Sequence, residues 1–227
     1  SLKMAHKKQK AGKAVGIDGE SKEGYSTNLE QNLNNLIERM KRFQYIPKPV
    51  RRTYIPKANG SKRPLGIPSY EDRLVQSVMA DILNEIYEPR FLECSYGFRP
   101  ERSAHDVVRI INEAVMHKKV NYVLEADIKG FFDNLDQNWL MKFLEHDIAD
   151  KNFLRYIGRF LKAGVMEGTE LQDSDRGTPQ GGLISPVLAG YDCSRVVLED
   201  TIVVPEPQAS SDAIRSVLGS SSATRPE

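Results

Sequence analysis

Leu124-Glu125-Ala126-Asp127-Ile128-Lys129-Gly130-Phe131-Phe132-Asp133 and, about 50 residues after Asp127, Gly177-Thr178-Pro179-Gln180-Gly181-Gly182-Leu183-Ile184-Ser185-Pro186 are the stretches on which the fold turns. With Asn121, Tyr122 and Val123 in front of it, the first is short and rich in β-formers, so it reads as a buried strand over 121–132. It contains Asp127 where a core disfavours an acid, because a buried carboxylate is costly unless paired, hydrogen-bonded or bound to metal. Two readings stay open for Asp127: an acid capping the next turn, or a ligand for Mg²⁺, which takes hard oxygen donors and shares one or two carboxylates with substrate phosphates. Two such ions would polarise an attacking hydroxyl and a leaving pyrophosphate. In the second stretch glycines let backbone approach a ligand closely, and Gln180 can both donate and accept hydrogen bonds. A Gly/Pro turn alone says little, but behind a strand carrying the D-x5-D pair Asp127 and Asp133 it becomes specific.

Outward from these stretches the chain alternates helices and short strands. Thr27 with Glu30 forms a capping-box pattern, and Leu29, Leu33, Leu36, Ile37 and Met40 predict a helix closed by Pro47 and Pro49. Residues 50–68 predict two strands joined at Asn59-Gly60, carrying Arg51, Arg52, Lys57, Lys62 and Arg63. Residues 70–88 predict a helix with a broad apolar face ended by Pro89, and Ser103 with Asp106 caps a third through Val115. Helices over 137–148 and 152–162 follow, Gly164 stopping the second, and 165–176 reads as a polar hairpin.

The 227 residues are 28% charged and 40% hydrophobic with a mean hydropathy of -0.47, which places them among globular proteins. No stretch is apolar over the roughly 18 residues needed to span a bilayer. Cys94 and Cys193 exclude a disulfide framework or a four-cysteine zinc site. The net charge of +1 hides an asymmetry: residues 1–65 hold fifteen Lys/Arg against five Asp/Glu, a balance of +10. A solvated face and a phosphate-binding surface, the latter favoured by the nearby Phe43, Tyr45 and Tyr54, are both compatible with that excess. Residues 1–26 are expected to be a basic arm ending in the turn Gly16-Ile17-Asp18-Gly19.

Five blocks resemble the reverse transcriptases encoded by group II introns, proteins that also act as maturases, over residues 16–189. Gly16-Ile17-Asp18-Gly19 is similar to that family's N-terminal extension motif, RRTYIPKANGSKRPLGIP at 51–68 to its first fingers motif, and YGFRPERSAHD at 96–106 to its second. Residues 127–133 match palm motif A, and GTPQGGLISPVLA at 177–189 matches motif B. Five blocks in the family's own order make the resemblance specific. It implies an α+β fold, the fingers and partial palm of a right-hand polymerase with the thumb absent: a basic extension over 1–26, fingers over 27–120, a partial palm over 121–189, and an unmatched, mobile tail over 190–227.

Carried over residue by residue, the resemblance implies that Asp127 binds both catalytic Mg²⁺ ions, helped by the Ile128 carbonyl. Lys57 and Arg63 would grip the incoming triphosphate, one as a point charge and one as a bidentate fork. Phe132 would be the steric gate selecting dNTPs, and Gln180 would contact the nucleotide near its ribose, with Gly181 and Gly182 allowing close approach. Lys7, Lys8 and Lys10 of the arm, with Gly16, Asp18 and Gly19, would contact template or intron RNA in a salt-dependent way. Arg99 and Arg102 would lie along the template; for Arg99 an ion pair within the fingers is the equal alternative. The implied partners are RNA, a DNA primer and dNTPs, with no membrane, in bacterial cytoplasm or, in a eukaryote, in an organelle.

The chain also departs from the family. No Asp-Asp pair occurs in the 227 residues, and beyond Ala189 the sequence Gly190-Tyr191-Asp192-Cys193 does not continue the pattern. With Ser1 in place of Met, this reads as a fragment or truncated gene product, expected to polymerise poorly by itself and, with an unfinished sheet, to self-associate. A viral-type RNA-dependent RNA polymerase, a retron-like lineage and a non-catalytic module that binds intron RNA are the competing readings.

Overall fold

The computed structural model describes residues 2–56, 60–123, 134–172, 177, 187 and 188. Their order is α1 (Leu2–Lys8), α2 (Lys22–Ser26), α3 (Leu29–Lys41), β1 (Val50–Pro56), β2 (Lys62–Ile67), α4 (Tyr70–Tyr87), a 3₁₀ turn (Glu88–Arg90), α5 (Ala104–His117), α6 (Gln137–Asp147), α7 (Lys151–Leu161), β3 (Val165–Glu167) and β4 (Glu170–Gln172). The mixed α+β character expected from the sequence is present.

The sheet runs β2-β1-β3-β4. The β1–β2 hairpin is antiparallel with Ile55 opposite Arg63 and Pro56 opposite Lys62, while Val50 and Arg51 pair in parallel with Val165 and Met166. Two parts of the chain more than a hundred residues apart thus share one sheet. The Val50 N–H donates to the Gly164 carbonyl at 3.1 Å, and Gly164 adopts φ +74, a left-handed conformation that suits a residue without Cβ. Of the hairpin expected over 165–176, residues 165–172 form β3 and β4, and 173–176 lies outside the described residues.

Helix α4 is the spine: no residue of its first half is exposed, polar Asp72, Arg73 and Gln76 being buried there beside Leu74 and Val75. Val75, Met79, Leu83 and Tyr87 pack with Leu36, Tyr45, Leu140, Leu144, Leu154, Ile157, Phe160, Val187 and Leu188 in the main core. Tyr70 and Leu74 pack with Ala5, Tyr25 and Leu33 in a second cluster at the amino-terminal end. Full burial of each aliphatic side chain contributes about 1.5–3 kcal/mol.

Four local expectations need correction. The amino-terminal stretch is not an arm: α1 docks on α4 through buried Ala5 and His6, whose Nδ1 lies 2.8 Å from the Tyr70 hydroxyl and Nε2 3.3 Å from Ser26 Oγ. Thr27 does not cap α3. It closes α2, its N–H bonding the Gly24 carbonyl, whereas Ser21 caps α2 and the N-cap of α3 is Asn28. Tyr45 is core rather than part of a basic aromatic surface, being 1% exposed. Asn121, Tyr122 and Val123 are exposed and outside any strand, and 124–132 lies outside the described residues. The Ser103–Asp106 capping box forms as expected, and α5 behind it buries no residue, keeping Val108, Ile111 and Val115 exposed.

Candidate active site

The residues that follow the first decisive stretch are tied to the residue that opens the second. The Gly177 N–H donates to the Leu135 carbonyl at 2.8 Å, and the Gly177 carbonyl accepts from Gln137 Nε2, also at 2.8 Å. Gln137 is buried at the first turn of α6, and its amide also donates to the Leu161 carbonyl at 3.2 Å. Asp136, one residue earlier, caps α6 by accepting from the Asn138 and Trp139 N–H groups. Gly177 takes φ +74, so glycine suits that position. On the far side of the Gly-rich stretch, Val187 and Leu188 are buried in the main core beside Leu140 and Leu144. The residue two places after Asp133 and the residue opening the Gly-rich turn therefore touch, although about 40 residues of helix and hairpin separate them.

Replacing Gln137 by Ala leaves two buried carbonyls with a lost donor. The expected cost is about 2 kcal/mol of unfolding free energy. Gln137→Glu should cost as much or more, since a carboxylate cannot donate, and urea titration of both variants measures it. A wild-type midpoint for either would refute the tie.

Asp127, Ile128, Phe132, Gln180, Gly181, Gly182 and Lys57 lie outside the described residues. Arg63 is exposed on β2. The amino-terminal motif is folded onto the molecule: Gly16 is buried against the backbone of Pro68 and Ser69, Gly19 turns with φ +67, and Asp18 pairs with Lys48 at 3.1 Å. The Arg51 guanidinium donates to the Val15 carbonyl at 3.0 and 2.7 Å, and Arg73 donates to the carbonyls of Ala14 and Pro68. Arg99 has the ion pair that the sequence left as an alternative: it meets Glu88 at 2.8 Å, donates to the Leu92 and Ser95 carbonyls at 2.7 and 2.9 Å, and lies over the Phe91 ring at 5.2 Å. Its side chain is 6% exposed. Arg102 donates to the Glu93 carbonyl and stacks on Tyr96 at 5.1 Å. Lys7 and Lys10 are exposed; Lys8 pairs with Asp81 at 2.9 Å.

Gln137, Arg51 and Arg73 were not singled out as site residues by the sequence. A glutamine at a helix start and arginines in a basic run have no pattern that separates a long-range carbonyl clamp from solvated surface. Among the described residues no group of three or more His, Cys, Asp or Glu side chains converges in a way that could hold a metal ion, and no helix is long and apolar enough to cross a membrane.

The model of the family described as reverse transcriptase (RNA-dependent DNA polymerase) matches residues 55–193, more than half of the chain. The chain belongs to the reverse transcriptase family. It is 40% identical over 181 residues to the group II intron-encoded protein LtrA of Lactococcus lactis subsp. cremoris, covering 79% of this chain and 29% of that protein. Protein YkfC of Escherichia coli (strain K12) is 37% identical over 177 residues, 77% of this chain and 46% of YkfC. Nuclear intron maturase 2, mitochondrial, of Arabidopsis thaliana is 30% identical over 107 residues. The chain thus spans under half the length of these relatives. Among solved structures, a chain of a partial Cas6-RT-Cas1–Cas2 complex superimposes with a TM-score of 0.53 at 21% identity, over 88% of this chain and 32% of that one, which supports a reverse transcriptase fold. The tie between Leu135, Gln137 and Gly177 joins the flanks of the two stretches that resemble the family's motifs A and B.

Proposed function

We propose that this reverse transcriptase chain forms the fingers and part of the palm of a group II intron-type enzyme that adds dNTPs to a DNA primer on an RNA template and also grips intron RNA. The tie that brings the carboxy-terminal flank of the Asp127 stretch against the start of the Gln180 stretch is the observation that carries the reading. Addition joins the primer 3′-oxygen to the α-phosphorus and expels pyrophosphate. Asp127 and the Ile128 carbonyl would be oxygen donors for Mg²⁺, which would supply charge neutralisation at the phosphates and acidify the attacking hydroxyl. In this reading Lys57 and Arg63 would hold the triphosphate, and Phe132 would be the gate that excludes a 2′-hydroxyl. Gln180 would contact the nucleotide near its sugar, with Gly181 allowing the backbone to approach.

Holding two ions requires carboxylates beyond Asp127, and the Asp-Asp pair that supplies them in the family is not among these 227 residues. That observation favours, for the chain by itself, RNA binding without turnover. Primer extension on an RNA template with dNTPs and Mg²⁺, beside an Asp127→Ala control and a salt titration of RNA binding, tests this. Salt-sensitive RNA binding without extension is expected. Extension abolished in the control would overturn the inactivity and point to acids from the 190–227 stretch or a second chain. Absence of RNA binding would overturn the nucleic-acid reading altogether.

A further inference from the structure

Helix α7 presents two faces of opposite character. Leu154, Tyr156, Ile157, Phe160 and Leu161 are buried, while Lys151, Asn152, Arg155, Gly158, Arg159 and, just past the last turn, Lys162 line the outer face. Four of those six are cations at the i, i+4 and i+3 spacing of one helix face. A groove of about 740 Å³ lies along this face, walled on the other side by Asn138, Met141 and Glu145 of α6. A second hollow, of about 430 Å³, continues it past Arg155, Gly158 and Lys162 to Ile46 and Pro47.

Three features make this a binding face rather than a solvated one. Among the described residues Lys151, Arg155 and Lys162 have no carboxylate at ion-pair distance, and Glu145 is the single acid lining either hollow. The Arg155 guanidinium lies 4.6 Å over the ring of half-exposed Phe43, and Arg159 is fixed by the Tyr45 carbonyl at 2.5 Å and by the Tyr156 ring at 5.3 Å, so two cations are already ordered beside aromatic surface. Gly158 sits in the middle of the helix, where glycine disfavours the helical state, yet a Cβ built there would meet nothing within 4 Å. The missing side chain serves no internal packing; it leaves the floor of the groove open between Arg155 and Lys162.

We infer that this α7 groove is an RNA-binding surface, in which the cations hold successive phosphates of an unpaired RNA segment, Gly158 lets its backbone approach, and Phe43 with the arginine planes receives bases. This rests on the RNA-binding reading proposed above and adds a surface none of whose residues belongs to the five signature blocks. Lys151 to Lys162 spans about 16 Å at 1.5 Å per residue, longer than one triphosphate, so a strand fits and a free nucleotide does not fill it. The single carboxylate disfavours a basic or mixed-charge protein surface, and stacking on aromatic and guanidinium planes is how unpaired RNA is held.

The test is fluorescence anisotropy of a labelled stem-loop RNA with a long unpaired loop, titrated with the whole chain over a range of KCl. The Arg155→Gln/Lys162→Gln double variant should bind about tenfold more weakly at 0.1 M salt, and the slope of log affinity against log salt should flatten by about 1.5. Gly158→Leu should keep or raise the melting temperature, since leucine favours helix, and still weaken binding several-fold. Variants that fold and bind with wild-type affinity and slope would overturn the inference while the wild type still binds. A wild type that binds no RNA would overturn both this surface and the reading on which it rests.

Discussion

Gly16→Ala is expected to cost about 3 kcal/mol of unfolding free energy, near the upper end of what inserting one methyl into a packed site costs. A Cβ on Gly16 would lie 2.6 Å from Ser69 Cα, 2.7 Å from Ser69 N and 2.9 Å from the Pro68 oxygen, and all three are backbone atoms that cannot swing aside. The 16–19 turn would lift from the start of α4, taking with it the neighbouring carbonyls of Ala14 and Val15 that Arg73 and Arg51 grip. Gly19→Ala makes the control. Unlike Gly16, Gly19 has a positive φ, +67, with open space around it, so its cost is the left-handed strain alone, about 1 kcal/mol. Urea midpoints separate the two, and Gly16→Ala unfolding no more easily than Gly19→Ala would refute the close approach. A salt titration of RNA binding by Gly19→Ala then asks whether this turn touches RNA, because that variant keeps the docking.

The second large effect is a pH dependence that runs opposite to that of most carboxylates. Asp72 is 2% exposed in α4. One of its oxygens accepts from the Tyr45 hydroxyl and the other from the Lys48 N–H at 3.0 Å. Burial outweighs these bonds and pushes its pKa from 3.8 up to about 6, with the nearby Asp18 adding to the rise. A carboxyl raised in this way holds its proton more tightly in the folded chain than in the unfolded one. Its contribution is complete below about 3.8 and is lost as pH rises towards 6, a change of about 3 kcal/mol for roughly two units. Asp72→Asn, whose amide can donate to the Tyr45 oxygen while its carbonyl accepts from Lys48, should therefore gain stability relative to the wild type between pH 4 and pH 7 by about that amount. Buried His6 acts in the other sense: burial, with Lys22 adding, lowers its pKa, so its contribution is lost as pH falls below its ordinary 6.5. Both chains carry His6, so the difference between their urea midpoints isolates Asp72. A difference that stays constant over this range would refute a protonated, buried Asp72.

Most of the secondary structure was legible because it is local. The Ser103–Asp106 capping box, the hairpin over 50–68, the Pro89 stop after α4 and the apolar spacings of α4, α6 and α7 each depend on residues within a few positions of one another, and all appear. The amino-terminal stretch was misread for the complementary reason. Lysines at the start of a chain look like a solvated arm, whereas Ala5 and His6 find their partners, Tyr70 and the α4 face, more than sixty residues away.

The family and the order of its blocks came from residue identities alone, since motifs A and B are spelled by Asp127–Asp133 and Gly177–Ala189 with no reference to three dimensions. What each polar group is used for came from packing. Arg99 and Arg63 read alike in the sequence, yet the first is enclosed by Glu88 and two carbonyls and the second stays exposed on β2. Tyr45 and Phe43 are equally aromatic beside basic residues, and one is sealed in the core on Asp72 while the other carries Arg155 at the surface. The physical reason is the same in each case. Periodicity and motif spacing report short-range backbone preference, but burial and hydrogen-bond partnership depend on segments brought together from across the chain, and those contacts set whether a charge is spent inside the protein or offered to a ligand.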